Sequence, residues 1–386
     1  MKKVLAIFTV VAVSCFGSVV FAADGDAPVV KGNIEIYGAA KLSVDVIDTG
    51  AKATGADKSL TKVSSNSSRL GFKGSEDLSD DLSAVVQVEL QVNMDGTTSK
   101  VATGVTNTTT GAVSTTDVNT LSLRNTYVGL KSKSLGMLIL GTHDTPYKLS
   151  TLQFDPFGDS MGDYNAIIGN VNGSSNFDLR PKDVIAYVSP SLGGAVISIA
   201  KVQTGTESAS SATAPTVDAY SASALYNAGP LAVALAYEIH KNGVASGWDS
   251  TGKMKNSGAK LGAGYTIGGT KIGLVYEAIK DDNSDSAITR NAMYASVTQT
   301  IGKEKVKLAF GKAEDGKSTA KTGATFVAVG ADHNFSNRTT AYVLYATTNN
   351  DAGATYGLGQ GGSGGAYKPA AGEDPSVISF GINHSF

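Results

Sequence analysis

Hydrophobic and polar residues alternate with a period of two along most of the chain. In residues 82–91 the even positions are apolar, whereas Ser83, Gln87 and Glu89 lie at odd positions. Residues 231–239 repeat the pattern, with large apolar side chains at the odd positions. Because successive side chains of a strand point to opposite faces, each segment predicts a strand with one apolar and one polar face.

The spacing of these segments predicts an all-β protein of roughly sixteen strands, each about 8–12 residues long, which is within the range of outer-membrane barrels. Short turns, such as residues 227–230, alternate with long polar connections, such as residues 95–118 and 349–375. This asymmetry is typical of a transmembrane barrel, and a soluble β-sandwich does not need it. We therefore expect a 16-stranded antiparallel transmembrane β-barrel. The predicted strands are 34–46, 67–74, 82–93, 121–130, 136–142, 182–189, 194–204, 217–226, 231–240, 257–267, 270–280, 289–299, 304–313, 324–334, 338–348 and 376–386.

The final ten residues show the alternation most clearly. Ile378, Phe380 and Ile382 share one parity, and small polar residues occupy the other. A strand of this kind suits a barrel whose last strand pairs with its first and leaves no free edge. We expect residues 376–386 to pair with residues 34–46.

The N-terminus predicts export from the cytoplasm. Lys2 and Lys3 precede an apolar run that ends in small residues, which indicates a signal peptide over residues 1–22, cleaved after Ala22 or Ala23. The barrel would then occupy residues 23–386, and an uncleaved membrane anchor is the alternative. Removal of residues 1–22 leaves 30 basic and 34 acidic residues, a formal charge of −4, and no cysteine. Hydrogen bonds rather than disulfides must hold such a barrel, and its weak acidity argues against nucleic acid as a partner.

The sequence shows no pattern for catalysis or for a cofactor. The four histidines, His143, His240, His333 and His384, lie far apart and have no cysteine partner for a metal. No G-x-S-x-G segment stands out as the nucleophile elbow of a hydrolase. We expect no enzyme activity and no cofactor. An outer-membrane hydrolase that recruits His384 and a soluble β-domain are the alternatives from other classes.

Six segments along the chain share their residue pattern with a known family: SRLGFKGSEDL at 68–78, RNTYVGL at 124–130, LGTHDTPY at 140–147, DPFGD at 155–159, DYN at 163–165 and ADHNFSNRT at 331–339. In this order they resemble segments of the general porins of β-proteobacteria and Neisseria. The resemblance implies a trimeric outer-membrane porin of sixteen strands, inserted in the lipid bilayer by the barrel assembly machinery. It also implies passive passage of ions and small hydrophilic solutes.

The resemblance also indicates where the pore would narrow. Residues 143–180 are the candidate for a loop that folds into the lumen, and they bring several acids with them. The facing wall would supply bases, because an arginine that faced lipid at the midplane would cost roughly 2–4 kcal/mol. Opposed charges of this kind set ion selectivity in narrow pores. The candidate constriction residues are Arg69, Arg124, Arg180, Lys73, Glu89, Asp155, Asp159 and Asp163; the alternative for each is the solvated wall, or a vestibule for Lys73 and Glu89.

Two positions depart from the family pattern. Thr142 and Ala186 stand where relatives often carry arginine, although Lys182 offers a replacement for one. We therefore expect weak selectivity or a mild cation preference. A substrate-selective channel on the same barrel and a structural barrel or adhesin with a plugged lumen are the competing hypotheses.

Overall fold

The computed structural model describes residues 33–52, 58–96, 99–102, 115–118, 121–175, 177–204, 217–241, 255–281, 289–360 and 366–386. The predicted signal peptide, residues 1–22, lies outside these ranges. The described chain forms a closed antiparallel barrel of 16 strands, which confirms the predicted fold class. Within it, no helix has the length and apolar character needed to cross a bilayer. The barrel strands are β1 (Asn33–Asp48), β2 (Ser59–Ser65 and Arg69–Asp77), β3 (Leu82–Gln91), β4 (Ser122–Leu123 and Thr126–Ser132), β5 (Gly136–Thr142), β6 (Val184–Val188), β7 (Ala195–Thr204), β8 (Val217–Ala228), β9 (Leu231–Lys241), β10 (Lys255–Ile267), β11 (Thr270–Asp281), β12 (Arg290–Ile301), β13 (Glu304–Ala313), β14 (Ala324–Asn334), β15 (Thr339–Asn350) and β16 (Ser376–Ser385).

Strand β16 closes the barrel against β1, as its alternation predicts. The two strands are antiparallel, with Phe380 opposite Val44. Beyond the end of β16, the backbone N–H of Phe386 donates to the carbonyl of Gly38 at 3.1 Å, and the reverse bond is 3.0 Å. No strand edge is left open at this seam, so its backbone polar groups are satisfied within the sheet.

The outer face of the barrel carries the apolar parity of each strand. In β16, Ile378 and Phe380 are 45% and 55% exposed, whereas Ser379 between them is fully buried on the lumen side. The same division holds in β11, where Leu274 is exposed and Val275 is buried. A continuous exposed apolar surface of this kind suits contact with lipid rather than with water.

The connections differ at the two ends of the barrel. Short turns, such as residues 229–230, 268–269 and 302–303, join strands at one end, which we call the periplasmic end because short turns face the periplasm in such barrels. Long connections lie at the other end. Two of them shape the lumen: loop 3 (residues 143–183) and loop 8 (residues 351–375, of which 361–365 are outside the described ranges).

Strands β2 and β4 each contain an irregularity that the predicted strands do not include. Between paired positions, three residues of β4 (124–126) face two of β3, and three residues of β2 (66–68) face two of β1. Each is a β-bulge, and a bulge reverses the parity of the side chains that follow it. Tyr127 therefore points into the lumen together with Arg124, although simple alternation places them on opposite faces. The segment Ser59–Ser65, before the bulge of β2, is a strand that the periodicity does not predict.

Candidate pore constriction

Loop 3 crosses the lumen and packs against the wall formed by β10–β15. It begins with a short helix, α1 (Pro146–Thr151), whose first turn is capped by Thr145: its hydroxyl accepts from the N–H of Lys148 at 3.3 Å. The 3-10 turns Leu152–Phe154 and Tyr164–Ala166 follow. Apolar side chains of the loop are buried against the wall, so that the loop rests on a packed core. This core includes Phe154, Phe157, Met161, Tyr164, Ile167, Tyr294, Phe326 and Leu344.

Glycines in the wall make room for this packing. A Cβ atom at Gly262 would lie 2.3 Å from the ring of Phe154, and one at Gly264 would lie 2.7 Å from it. Both distances are too short for real atoms, so only glycine permits the ring to approach the backbone so closely. The sequence of β10 is therefore matched to the path of loop 3.

Buried charges anchor the loop to the wall at a second place. Glu277 of β11 accepts from the hydroxyl of Tyr147 at 2.9 Å and from the backbone N–H of Gly169 at 3.0 Å. Arg290 of β12 pairs with the same carboxylate at 3.1 Å and donates to the carbonyl of Ile167 at 2.9 Å. Because all of these groups are buried, their mutual hydrogen bonds offset the cost of removing charge from water.

Asp178, in the second half of loop 3, also binds the loop to the wall. Its carboxylate pairs with Lys260 of β10 and accepts from the hydroxyl of Tyr164 at 3.0 Å and from the amide of Asn165 at 2.9 Å. The ammonium of Lys260 lies 4.4 Å from the centre of the Tyr147 ring. The two halves of loop 3 are thus tied to adjacent strands through one ionic network.

The tip of loop 3 contacts β1 and β2 through Asp159. Its carboxylate lies 2.8 Å from the ammonium of Lys41 on β1 and 3.3 Å from the guanidinium of Arg69 on β2. Although burial alone would raise the pKa of the Asp159 carboxyl, Lys41 and Arg69 lower it. One acid of loop 3 and two bases of the barrel wall therefore meet at this point.

Asp155 and Asp163 lie in the loop but do not extend toward the facing wall. Asp155 accepts from the hydroxyl of Tyr294 at 2.8 Å and from two backbone N–H groups of its own loop. Asp163 accepts from the backbone N–H of Asp159 at 2.9 Å and from that of Asn165 at 2.8 Å. Burial raises the pKa of both carboxyls. The structure therefore places these two acids where they hold the shape of the loop rather than in the open lumen.

Arg124 and Glu89 form a buried ion pair on the wall that loop 3 faces. The guanidinium of Arg124 lies 2.7 Å from the carboxylate of Glu89 and donates to the side chain of Gln91 at 3.2 Å. The hydroxyl of Tyr37 donates to the other oxygen of Glu89 at 3.0 Å. The pair contributes two opposite charges close together, and so it adds little net charge to the pore.

Arg180 and Lys73 lie apart from the contact at Asp159. Arg180 is at the base of loop 3, where it is 3.1 Å from Asp144 and donates to the amide oxygen of Asn125 at 3.0 Å. Lys73 pairs with Glu35 at 3.1 Å in the part of β2 toward the periplasmic end. The structure thus brings together Arg69 and Asp159, with Arg124 and Glu89 nearby, but not the other candidates.

Lys41 is a further candidate for the constriction, which the sequence analysis does not include. It shares the odd parity of Ser43 and Asp45 in β1, which all face the lumen, while Val44 and Val46 face outward. That alternation is visible in the sequence and could have identified it. The hydroxyl of Tyr37 lies at the same wall, where it donates to Glu89.

The two positions that depart from the family pattern lie on the wall between β4 and β7. Ala186 is buried in an apolar cluster with Ile139 and Val184, and Thr142 pairs in register with Thr126. An arginine at residue 186 would need room and a charged partner inside this apolar cluster. The smaller residue is thus consistent with its surroundings.

Loop 8 forms a second layer on loop 3. The backbone N–H and hydroxyl of Thr355 donate to the amide oxygen and carbonyl of Asn172 at 2.8 and 2.7 Å. The amide of Asn172 donates to the carbonyl of Gly353 at 3.3 Å. Tyr356 and Leu358 are buried in the same core as loop 3. No pattern in the sequence indicates this contact, because residues 349–375 read only as a long polar loop.

Comparison with known proteins places the chain in a family. A family model described as Gram-negative porin matches residues 9–354. Outer membrane porin protein 32 of Delftia acidovorans is 26% identical over 378 residues, covering 95% of this chain and 97% of the relative. An outer membrane porin protein of Bordetella pertussis is 28% identical over 226 residues, covering 56% of this chain and 53% of the relative.

Solved structures share the fold over nearly the whole chain. An anion-selective porin from Comamonas acidovorans superimposes with a TM-score of 0.72 at 23% identity, covering 92% of this chain and all of that one. The trimer form of OmpT of Vibrio cholerae gives a TM-score of 0.65 at 17% identity, covering 92% of this chain and 99% of that one. At these identities the structural likeness concerns the fold alone.

Proposed function

This chain belongs to the Gram-negative porin family, and we propose that it is an outer-membrane diffusion channel whose narrowest part is the contact of loop 3 with β1 and β2. The observation that carries the proposal is a closed barrel with an apolar exterior, a polar interior and a loop folded across the lumen. Ions and small hydrophilic solutes would pass by size and charge without energy coupling. None of the charges acts as a catalyst, so we propose no enzymatic activity.

The charges at the loop 3 contact favour a weak preference for anions. Lys41 and Arg69 share the single acid Asp159, which leaves one positive charge in excess, and the Arg124–Glu89 pair is balanced. Fixed charges that line a narrow pore favour ions of opposite sign. An anion preference is opposite to the mild cation preference expected from Thr142 and Ala186, which stand where relatives often carry arginine. The two differ because that expectation does not include the positive charge of Lys41. A porin described as anion-selective is among the structural neighbours, which is in keeping with the proposal.

We also propose that the chain assembles as a homotrimer and is inserted by the barrel assembly machinery. The trimer form of a structural neighbour supports the first part. The exposed apolar exterior supports the need for an insertion pathway, since such a surface aggregates in water.

Planar-bilayer recording in a salt gradient tests this function. We expect steady conductance, closure in three steps from one trimer, and a reversal potential slightly on the anion side. A reversal potential on the cation side would contradict the charge assignment but not the channel. Folded protein that never conducts would contradict the channel itself and favour a plugged barrel. Block by one solute below millimolar concentration would favour a substrate-selective channel instead.

A further inference from the structure

A cavity lies beneath loop 3, on the side of the periplasmic end. It has a volume of about 520 Å³ and is bounded above by residues 153–156 of loop 3 and below by the ends of β10–β14. A neighbouring cavity of about 160 Å³ continues beneath residues 156–160. Lys305, Lys307 and Asp332 line both cavities, so their charged groups face one continuous space in the lumen.

Amino groups outnumber available acids in this space. Lys307 is 2.7 Å from Asp332, and Lys271 donates to the carbonyl of Gln153 at 2.7 Å. The side chain of Lys305, which is opposite Asp332 in the sheet, has no hydrogen bond or ion pair among the described residues. Asp155 also borders the cavity, but its carboxylate is occupied by Tyr294 and by loop 3 backbone. Three lysines therefore face two carboxyl groups, Asp332 and Asp155, in this space, which leaves an excess of one positive charge.

Hydroxyl groups alternate with these lysines in the register of the sheet. Thr266 of β10 is opposite Lys271 of β11, which is opposite Thr298 of β12, which is opposite Lys307 of β13. One step nearer the turn, Thr300 is opposite Lys305. Directly paired residues point to the same face with Cβ atoms about 5 Å apart. Each lysine is thus beside a hydroxyl that can donate to the same ligand.

Ammonium and hydroxyl donors in this alternation suit the oxygens of a carboxylate or a phosphate. Charge-assisted hydrogen bonds from lysine to such oxygens are stronger than neutral ones, and the hydroxyls add further donors. We propose that this row is a binding site for small solutes that carry carboxylate or phosphate groups, on the periplasmic side of the constriction. The proposal rests on the channel function, because the site lies in the lumen.

Block of chloride current by added anions tests the site. Inorganic phosphate and succinate are added in turn to each side of a bilayer that contains the channel, and current is measured against concentration. We expect saturable block by at least one of the two at millimolar or higher concentration, and the difference between them tells whether phosphate or carboxylate fits better. In Lys305→Gln, the concentration for half block should rise about three-fold, as expected for loss of one partly solvated charge contact.

Lys303→Gln is the matched control. It removes the same charge two residues away, on an exposed turn that does not line the cavity, so its half-block concentration should equal that of the unaltered protein. Equal block in both variants and the unaltered protein would overturn the site, as would the absence of any saturable block. If Lys305→Gln forms no channel, Lys271→Gln gives the same comparison. Failure of the unaltered protein to conduct would contradict the channel function rather than this site alone.

Discussion

Asp159 decides the charge balance of the constriction, because it is the only acid that contacts Lys41 and Arg69 in the described part of the chain. Asp159→Asn removes that acid and leaves both bases facing the pore. We expect the anion-to-cation permeability ratio to rise about two-fold, since fixed pore charges set selectivity. Reversal potentials in a potassium chloride gradient measure the ratio.

Asp80→Asn is the control for this change. Asp80 is exposed on a short turn at the periplasmic end, away from loop 3, and its loss should leave the reversal potential unchanged. A shift of the Asp159→Asn channel toward cations would contradict the assignment of Asp159 to the narrowest part of the pore.

The Arg124–Glu89 ion pair is expected to contribute more to the stability of the barrel than to its ion selectivity. Both side chains are buried, with exposures of 6% and 7%. Arg124→Gln leaves the carboxylate of Glu89 without its cation, and removal of one partner from a buried pair costs about 3 kcal/mol. The free energy of unfolding in urea should fall by that amount. The double variant with Glu89→Gln should recover much of the loss.

Arg69→Gln provides the comparison. The side chain of Arg69 is partly exposed, so its ion pair with Asp159 should contribute less than about 1 kcal/mol to the free energy of unfolding. Equal losses in Arg69→Gln and Arg124→Gln would show that burial does not distinguish the two arginines.

Single residues show how far alternation alone can identify a site. Alternation in β2 predicts that Arg69 faces the lumen, and the structure has it there. Asp155, Asp159 and Asp163 look alike in the sequence, and only the fold of loop 3 separates the one that crosses the lumen from the two that bind their own backbone. Distances of this kind are set by tertiary packing, which the sequence pattern does not contain.

At the scale of elements, loop 8 stabilises the position of loop 3. The side chain of Asn172 joins the two loops through Thr355 and Gly353, and Asn172 has a positive φ of 46°. Asn172→Gly keeps that backbone conformation available and removes the side-chain bonds, which contribute about 1 kcal/mol each. We expect larger fluctuations of the open-channel current, because loop 3 loses part of its contact with loop 8.

Asn337→Gly tests whether this effect is specific. Asn337 lies in an exposed turn between β14 and β15 at the periplasmic end, and its loss should leave the current noise unchanged. Noise that rises equally in both variants would point to general loosening of the barrel instead of to the contact between the loops.

The strands themselves could be predicted well, and their irregularities could not. Periodicity locates the strands because every strand has one face toward lipid and one toward water. It does not reveal the bulges at 66–68 and 124–126, since one extra residue changes the phase without changing composition. Both bulges adjoin candidate constriction residues, Arg69 in β2 and Arg124 in β4, which accords with the use of bulges to redirect side chains near functional sites.

At the scale of the whole molecule, the barrel separates an apolar exterior from a polar interior that loop 3 narrows. Localisation to the outer membrane follows from membership of the porin family together with this division. The division was foreseeable from the sequence, because the same alternation recurs along most of the chain. The path of the loops through the lumen was not, since long polar segments have no periodicity from which to predict a path.

Substitutions at two depths within the membrane test whether the exterior of the barrel faces lipid. Leu235 and Leu231 lie on the outward face of β9, at 54% and 40% exposure, but Leu231 is beside the short turn whereas Leu235 is further along the strand. An arginine on the lipid face costs about 2–4 kcal/mol at the midplane and about 0–1 kcal/mol near an interface. Leu235→Arg should therefore lower the free energy of unfolding in phospholipid vesicles much more than Leu231→Arg, as measured by urea titration. Because the two changes share strand, face and chemistry, equal losses would mean that the outer surface near Leu235 is not at the centre of a bilayer.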